Sequence, residues 1–173
     1  MNPTGARLDR RYSDDAATAV PWARTQARLA AAEVAWIVTV RPDGRPHATP
    51  MVPVVHNGHV YFHTGNGEVK YANIQANPRV LVLAGDTGWA GGLDVTVDGT
   101  ASAVSDVAVL RQLAGRYVER WDGRWQLDVD GIVNGTSNLV VFEVVPTNAY
   151  GYAKGDLFSH TTYRYDPIQE RSS

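Results

Sequence analysis

The chain has 173 residues, of which 44% are hydrophobic and 20% are charged, and its formal net charge is −2. This composition is typical of a globular protein with one core, and the slight acidity disfavours a nucleic-acid-binding surface. The sequence contains no cysteine, which excludes disulfides, thiolate catalysis and zinc–thiolate sites. No stretch reaches the ~18 apolar residues of a membrane span, and the N-terminus lacks the apolar segment of a signal peptide. We therefore expect a cytoplasmic protein without a membrane partner.

The first part of the chain predicts an arm, a helix and a strand meander. Residues 1–20 alternate basic and acidic side chains, which favours a flexible arm or, alternatively, a strap lying on a partner subunit. Residues 22–32 place apolar side chains on one face and predict a helix. The stretch 34–65 predicts three strands, because the Asp-Gly and Asn-Gly pairs at 43–44 and 57–58 are strong hairpin signals. Prolines in the second of these strands indicate an edge or an interrupted ladder.

The rest of the chain predicts more strands and two further helices. In chain order we expect a short helix at 68–77, a buried strand at 79–85 and a long strand at 91–105. An amphipathic helix at 106–121 follows, with Ser105 as its N-cap, and then a loop at 131–138. We expect one or two strands at 139–154, broken near Pro146, and a last strand at 157–166. There is no βαβ alternation, which disfavours a doubly wound nucleotide fold. We expect one β-barrel domain with helical decoration over residues 21–166, followed by a frayed tail at 167–173.

The stretch "HTGNGEVK", which ends at Lys70, contains the parts of an anion site. Gly65 and Gly67 allow a tight turn with free N–H groups at the start of a helix, where the helix dipole also favours an anion. Thr64 can donate a hydroxyl, and Lys70 is one of only two lysines in the chain. The pattern matches neither a Walker A loop nor a dinucleotide fingerprint, so a plain glycine-rich turn with a solvated lysine is the alternative. Glu68 favours that alternative unless its carboxylate points away.

A longer stretch carries a family resemblance. The segment "WIVTVRPDGRPHATPMVPVVHNGHVYFHTGNGEVKYANIQANPRVLV" resembles the pyridoxamine 5'-phosphate oxidase-like superfamily, and more closely its flavin/deazaflavin oxidoreductases. The C-terminal "YAKGDLFSHTTYRY" is similar to an ending found in the deazaflavin-dependent branch, and the whole match covers residues 22–166. The resemblance implies a mainly β (α+β) fold, a split β-barrel of about six or seven antiparallel strands with flanking helices. It also implies a homodimer with two cofactor sites at the subunit interface.

The resemblance also implies a cofactor and a set of binding residues. The expected activity is transfer of a hydride from the reduced deazaflavin coenzyme F-420 to a planar conjugated small molecule. Thr49, Pro50, Met51 and Val52 would run beside the ring system. The phosphate would be held by Thr64, Gly65 and Lys70, with Asn73 near, while the stretch around Trp89 and Lys154 would approach from the partner subunit. His160 and Thr162 differ from the Gln and the Arg or Lys that are usual in this branch.

Two other functions stay open. An FMN-dependent oxidoreductase on the same barrel would need only a short phosphate tail, whereas the acidic deazaflavin tail needs a basic groove, for which the candidates are Arg41, Arg45, Arg79 and Arg164. The chain could instead be a non-enzymatic binder of a flavin-like or tetrapyrrole ligand. No catalytic side chain is evident, and vitamin B6 synthesis is not assigned, because the C-terminal substrate signature of the true oxidases is missing.

Several further polar and aromatic side chains carry predictions of their own. We expect no metal site among the four histidines between positions 47 and 63, and we expect His56 and His59 to be exposed. His47 could hydrogen-bond a cofactor or simply end a strand. We expect Asp94 and Asp98 to pair with arginines. Tryptophans at 121 and 125 are expected to anchor a core or an interface.

Overall fold

The structure is a computed structural model that describes residues 2–86 and 88–166. Within these residues the strands are β1 Gly5–Leu8, β2 Ala35–Val40, β3 Pro46–Met51, β4 Val54–His56, β5 His59–Gly65, β6 Arg79–Ala84, β7 Gly92–Ala103, β8 Leu139–Lys154 and β9 Ser159–Arg164. The helices are α1 Trp22–Ala31, α2 Val69–Ala76, α3 Val107–Arg120 and α4 Val129–Asn134, with a 3-10 turn at Arg10–Tyr12. None of these helices is long and apolar enough to cross a membrane.

All strand pairs are antiparallel, and β8 is the branch point of the sheet. The strand order is β1-β9-β8-β7-β6-β2-β3. β8 pairs with β7 along one side, while its other side pairs first with β5 and then with β9. β5 in turn pairs with the short β4. Among the described residues, no strand pairs with the outer edge of β3, so the barrel is split there. The expected mainly β, antiparallel fold with flanking helices is confirmed.

β8 runs unbroken through Pro146 because a bulge absorbs the proline. The register between β7 and β8 shifts between Asp98 and Gly99, which leaves Thr147 as the extra residue on β8. A proline is tolerated at such a point, because a ladder hydrogen bond is already missing. A Cβ on Gly99 would lie 2.6 Å from both the Val144 side chain and the Val145 carbonyl oxygen. Only glycine therefore fits the close approach of the two strands here.

Two apolar cores lie on the two sides of β5 and β8. The main core fills the barrel and includes Ile37, Phe62, Val82, Phe142 and Tyr163, all fully buried. The second core lies under α3 and consists of Val54, Tyr61, Leu110, Leu113, Tyr117, Leu127 and Val141. Adjacent residues of β5 thus serve different cores, because successive side chains of a strand point to opposite faces.

Three local predictions differ from the structure. Residues 1–20, expected to be a flexible arm, contain β1, which pairs with β9 from Gly5 opposite Arg164 to Leu8 opposite Thr161. Asp106, not Ser105, caps α3, because its carboxylate accepts from the N–H groups of Ala108 and Val109 at 2.8 and 3.4 Å. The predicted loop at 131–138 begins inside α4, a six-residue helix too short to show a periodic pattern. The predicted tail at 167–173 lies outside the described residues.

The face of the sheet that points away from the main core is apolar and uncovered in the single chain. Its side chains alternate with the buried ones along β2, β3 and β6, and we call this set the outer face: Trp36, Val38, Val40, Ala48, Pro50, Leu81 and Leu83. Cross-strand register places them side by side, with Trp36 opposite both Pro50 and Leu83. Trp36 is 51% exposed. Apolar sheet faces of this kind are usually covered by another element or another chain.

Candidate functional site

The turn after β5 places its backbone so that the Gly65 N–H faces the Glu68 side chain. β5 pairs with β8 up to Gly65 opposite Leu139, and the chain then turns into α2. The Glu68 N–H donates to the Gly65 carbonyl at 3.1 Å, which closes the turn. The Gly65 N–H donates at 2.8 Å to Oε1 of Glu68. A Cβ on Gly65 would already touch this carboxylate oxygen at 3.4 Å, so a small residue suits the position.

Lys70 points into the same place from the first turn of α2. Its side chain is only 9% exposed, and its ammonium group forms an ion pair with the Glu68 carboxylate. A buried ammonium needs such a partner, because an unpaired charge is very costly away from water. The bond from Lys70 is the main reason that the pKa of Glu68 is lowered, and the Gly65 N–H and the Thr64 hydroxyl add to the effect. We call Thr64, Gly65 and Lys70 the cradle. The Gly65 N–H and the Lys70 ammonium converge on the Glu68 carboxylate, while the Thr64 hydroxyl beside them lies 3.5 Å from the Gly65 carbonyl oxygen.

Asn73 fixes the helix that carries Lys70. Asn73 is buried, and its amide donates to Oγ1 of Thr39 on β2 at 2.9 Å. The Thr39 hydroxyl donates in turn to the carbonyl of His47 on β3 at 3.3 Å. Asn73 therefore holds α2 against β2 and β3, and its role in this chain is to position the cradle rather than to present a free polar group.

The four residues expected beside a ring system lie on and just after the edge strand β3, in different environments. Pro50 lies on the outer face, and Met51 is buried in the main core. The Val52 carbonyl accepts a hydrogen bond from the Tyr117 hydroxyl at 3.1 Å, which ties this end of β3 to α3. The Thr49 hydroxyl is buried and has no hydrogen-bond partner among the described residues.

Orphaned polar atoms on β3 suit a polar planar ligand. Nδ1 of His47 is buried and unpartnered in the described chain, as is the Thr49 hydroxyl. Buried polar groups in proteins are nearly always satisfied, so two orphans two residues apart on an edge strand point to a missing partner. Unpaired backbone groups of an edge strand can add to the same contacts. Both orphans lie on β3, whose His47 carbonyl accepts from the Thr39 hydroxyl that also holds Asn73 of α2.

An aromatic cluster that the sequence reasoning missed adjoins the cradle. His63, the residue before Thr64, lies with its ring centroid 5.4 Å from Tyr117 and 5.5 Å from Trp125. The Trp125 indole N–H donates to Nε2 of His63. Burial lowers the pKa of His63, which keeps the imidazole neutral and able to accept this bond. Trp121 stacks on Tyr117 at 5.5 Å, so both tryptophans pack around this cluster. The only sequence signal was the histidine in a strand next to the glycine turn.

Trp89 and Lys154 lie at the other end of β8 from the cradle of the same chain. The Lys154 ammonium donates to the Asp86 carbonyl at 2.7 Å and pairs with Asp94 at 3.0 Å. Trp89 is 79% exposed, and its ring contacts Phe158 at 5.3 Å between centroids. Fifteen residue steps of β8 separate Lys154 from the strand end beside Gly65, roughly 50 Å of chain at ~3.3 Å per residue. The fold therefore does not bring these two residues to their own cradle.

The predictions for two histidines and two aspartates were wrong. His59 is part-buried, and its Nδ1 lies 2.6 Å from a Glu143 oxygen. His56 bonds to Gln112 at 3.1 Å. Asp94 pairs with Lys154 instead of an arginine, because β7 and β8 place the two residues at neighbouring positions.

Asp98 lies on the same pair of strands and has no charged partner of opposite sign among the described residues. It accepts from the Tyr150 hydroxyl at 3.5 Å, and burial raises its pKa. Among the described residues, no group of three or more histidines or carboxylates could hold a metal ion.

Comparison with known proteins gives a family match and several similar folds. The family model described as Pyridoxamine 5'-phosphate oxidase matches residues 22–152. No curated protein matches the sequence. The similar solved structures include a conserved hypothetical protein, Rv2991, from Mycobacterium tuberculosis, with a TM-score of 0.65 and 22% identity over 78% of this chain and 85% of the other.

Two further similar structures carry a ligand in their names. A FAD-binding protein from Mesorhizobium loti has a TM-score of 0.59 and 19% identity, over 91% of this chain and 96% of the other. The FAD binding protein from Mycobacterium smegmatis has a TM-score of 0.57 and 23% identity, over 84% of this chain and 98% of the other. At these identities the likeness shows a shared fold.

Proposed function

Because the chain belongs to the pyridoxamine 5'-phosphate oxidase family, we propose that it is an oxidoreductase that binds a flavin-type ring with a phosphate on its tail. The observation that carries the proposal is the cradle, in which a buried lysine and a backbone N–H converge on one anion beside a threonine hydroxyl. Two proteins of similar fold are named as FAD-binding, which supports a ligand of this type.

The residues divide the task of holding this ligand. Lys70, the Gly65 N–H and the Thr64 hydroxyl would hold the phosphate, because charge-assisted hydrogen bonds to an anion are the strong ones. The Thr49 hydroxyl and His47 would meet the polar edge of the ring, since both have buried orphan atoms. The neutral His63 and its aromatic neighbours exclude water beside the cradle.

The resemblance of the C-terminal segment to the deazaflavin-dependent branch favours coenzyme F-420 as the cofactor. When bound and reduced, this cofactor supplies a hydride to an electron-poor, planar conjugated small molecule. The chain's own contribution is to bind, orient and shield the reacting partners, and no side chain at the site is assigned as a proton donor.

FMN is the second candidate, and two observations favour it. Two of the similar proteins are named as FAD-binding, and FAD is a flavin, although another is named as a heme binding protein. Arg45, one of four arginines considered for the acidic deazaflavin tail, is already paired with Asp43 in its own turn at 2.7 Å. A short phosphate tail would need only the cradle.

We further propose that the active particle is a homodimer formed through the outer face. A second copy is the occupant that fits, because the same apolar patch on two identical chains is self-complementary around a two-fold axis. Trp89 and Lys154 cannot reach the cradle of their own chain, whereas a partner subunit could bring its own pair there. The dimer would thus complete two cofactor sites.

Titration of the purified protein with coenzyme F-420, FMN and riboflavin tests the proposed function. We expect tight binding of one phosphate-bearing cofactor and weak binding of riboflavin, both measured by fluorescence quenching. Lys70→Ala should weaken cofactor binding roughly 10- to 100-fold, since it removes a charge-assisted contact of ~1.5–3 kcal/mol. Arg116→Ala, an exposed change on α3, should have no effect. An unchanged dissociation constant in Lys70→Ala, or no binding of any of the three, would contradict the proposal.

A further inference from the structure

Glu68 occupies the position that the proposed function assigns to a phosphate. Its carboxylate accepts from the Gly65 N–H at 2.8 Å and from the Lys70 ammonium, and the Thr64 hydroxyl lies beside them. These groups are the cradle. The Gly65 N–H has a single hydrogen, and two anions side by side at Lys70 would repel each other, so a phosphate bound there displaces Glu68.

The two partners of this ion pair differ in their freedom to move. The Glu68 side chain is 51% exposed, whereas that of Lys70 is 9% exposed. Glu68 precedes the first residue of α2, and its side chain makes no hydrogen bond that caps the helix. Turning the carboxylate out to solvent therefore breaks no helix cap, and it releases the Gly65 N–H and the Lys70 ammonium. Lys70 cannot follow it, because the ammonium is held inside by the fold.

The burial of Lys70 explains why the chain would keep its own anion. An ammonium group enclosed by protein is stable only next to an opposite charge. The Glu68 carboxylate provides that charge when no phosphate is bound. A phosphate provides it in the complex, with more acceptor oxygens for the same donors.

We propose that Glu68 is an internal competitor for the anion site, which stabilises the cofactor-free chain and sets the affinity for phosphate-bearing cofactors. The inference rests on the proposed function for the identity of the cofactor. It is an exchange of one anion for another at Lys70, with no covalent step. Ligands that carry a phosphate must displace Glu68, whereas a ligand with the same ring and no phosphate has no need to do so.

Glu68→Gln tests this inference, because it keeps the shape of the side chain and removes its charge. Glu119→Gln on the exposed side of α3 is the matched control. In the absence of ligand, Glu68→Gln should melt below the unmodified protein. Inorganic phosphate, added at constant ionic strength, should raise the melting temperature of Glu68→Gln more than that of the unmodified protein or of the control.

Cofactor titrations give the second readout. We expect Glu68→Gln to bind FMN roughly tenfold more tightly than the unmodified protein, the effect of removing one competing charge-assisted contact. Riboflavin affinity should be the same in both. A purely structural ion pair would instead lower the stability of the free and bound forms alike and leave both affinities unchanged.

The results separate this inference from the proposed function. An equal phosphate response in Glu68→Gln and the unmodified protein overturns the internal competitor, even if FMN binds. A larger phosphate response in Glu68→Gln supports it, and if neither FMN nor coenzyme F-420 then binds to any variant, only the proposed cofactor is wrong.

Discussion

The part-buried carboxylate of Glu143 is held by partners from a neighbouring strand. Glu143 on β8 lies opposite Tyr61 on β5. One of its oxygens accepts from the Tyr61 hydroxyl at 2.5 Å and lies 2.6 Å from Nδ1 of His59. Burial alone would raise the pKa of Glu143, but the hydrogen bonds from Tyr61 and His59 outweigh it and the pKa is lowered. The carboxylate is therefore more stable in the folded chain than in the unfolded one.

This lowered pKa predicts a loss of stability in acid. The unfolded chain takes up a proton on Glu143 near pH 4.5, while the folded chain resists it until a lower pH. The contribution of Glu143 is thus complete above pH 4.5 and is lost as the pH falls through the folded pKa. Between pH 6 and pH 3.5, the free energy of unfolding of Glu143→Gln should fall by about 1 kcal/mol less than that of the unmodified protein, as measured by urea unfolding. Glu119→Gln should lose as much stability in acid as the unmodified protein. An identical acid dependence in Glu143→Gln would refute the stabilising role of the Glu143 carboxylate.

At the scale of elements, the long strand β8 does most to shape the site. Its first half pairs with β5 and so fixes the strand that leads into the cradle. Its second half pairs with β9, which in turn holds β1. The bulge opposite Asp98 and Gly99 lets one strand serve both partners, because a bulge bends a strand and increases its twist.

Two glycine-to-alanine changes, one at the bulge and one in α3, should have opposite effects on the stability of the fold. Gly99→Ala should destabilise the fold by roughly 1–3 kcal/mol, because the new methyl group overlaps the Val144 side chain and the Val145 carbonyl. Gly115→Ala lies in α3, where nothing is within 4 Å of an added Cβ. It should stabilise the fold by ~0.5–1 kcal/mol through helix propensity. Denaturant unfolding measures both, and a neutral Gly99→Ala would show that β7 and β8 are not so close.

At the scale of the whole molecule, the outer face and the ends of β8 are the two features on which the proposed homodimer rests. The single chain leaves Trp36 half exposed in a row of apolar side chains. It also leaves Trp89 and Lys154 remote from its own cradle. One association through the outer face would remove both features.

The proposed homodimer predicts a change of mass on mutation of the outer face. Trp36→Lys should shift the protein from dimer to monomer in light scattering coupled to size exclusion, because it puts a charge in the centre of the interface. The side chain is exposed in the single chain, so the monomer should stay folded. Val118→Lys, an exposed apolar residue on α3, should leave the mass unchanged. A monomeric unmodified protein would refute the dimer.

The sequence by itself determined most of the local structure. Hairpin dipeptides, the helix stop at Asn77-Pro78 and the apolar runs predicted the helices and most strands, because these signals act over a few residues. It also grouped Thr64, Gly65 and Lys70, because these three residues lie close together in the sequence. The edge strand β1 and the short α4 lacked such signals.

Only the tertiary structure decided how these parts meet. Register across β5 and β8 made His59 and Glu143 partners, and the pairing of β7 with β8 gave Asp94 a lysine instead of an arginine. The direction of the Glu68 side chain was open in the sequence, and the fold turned it into the cradle. Such contacts depend on strand pairing and side-chain packing over long separations, on which short-range patterns carry little information.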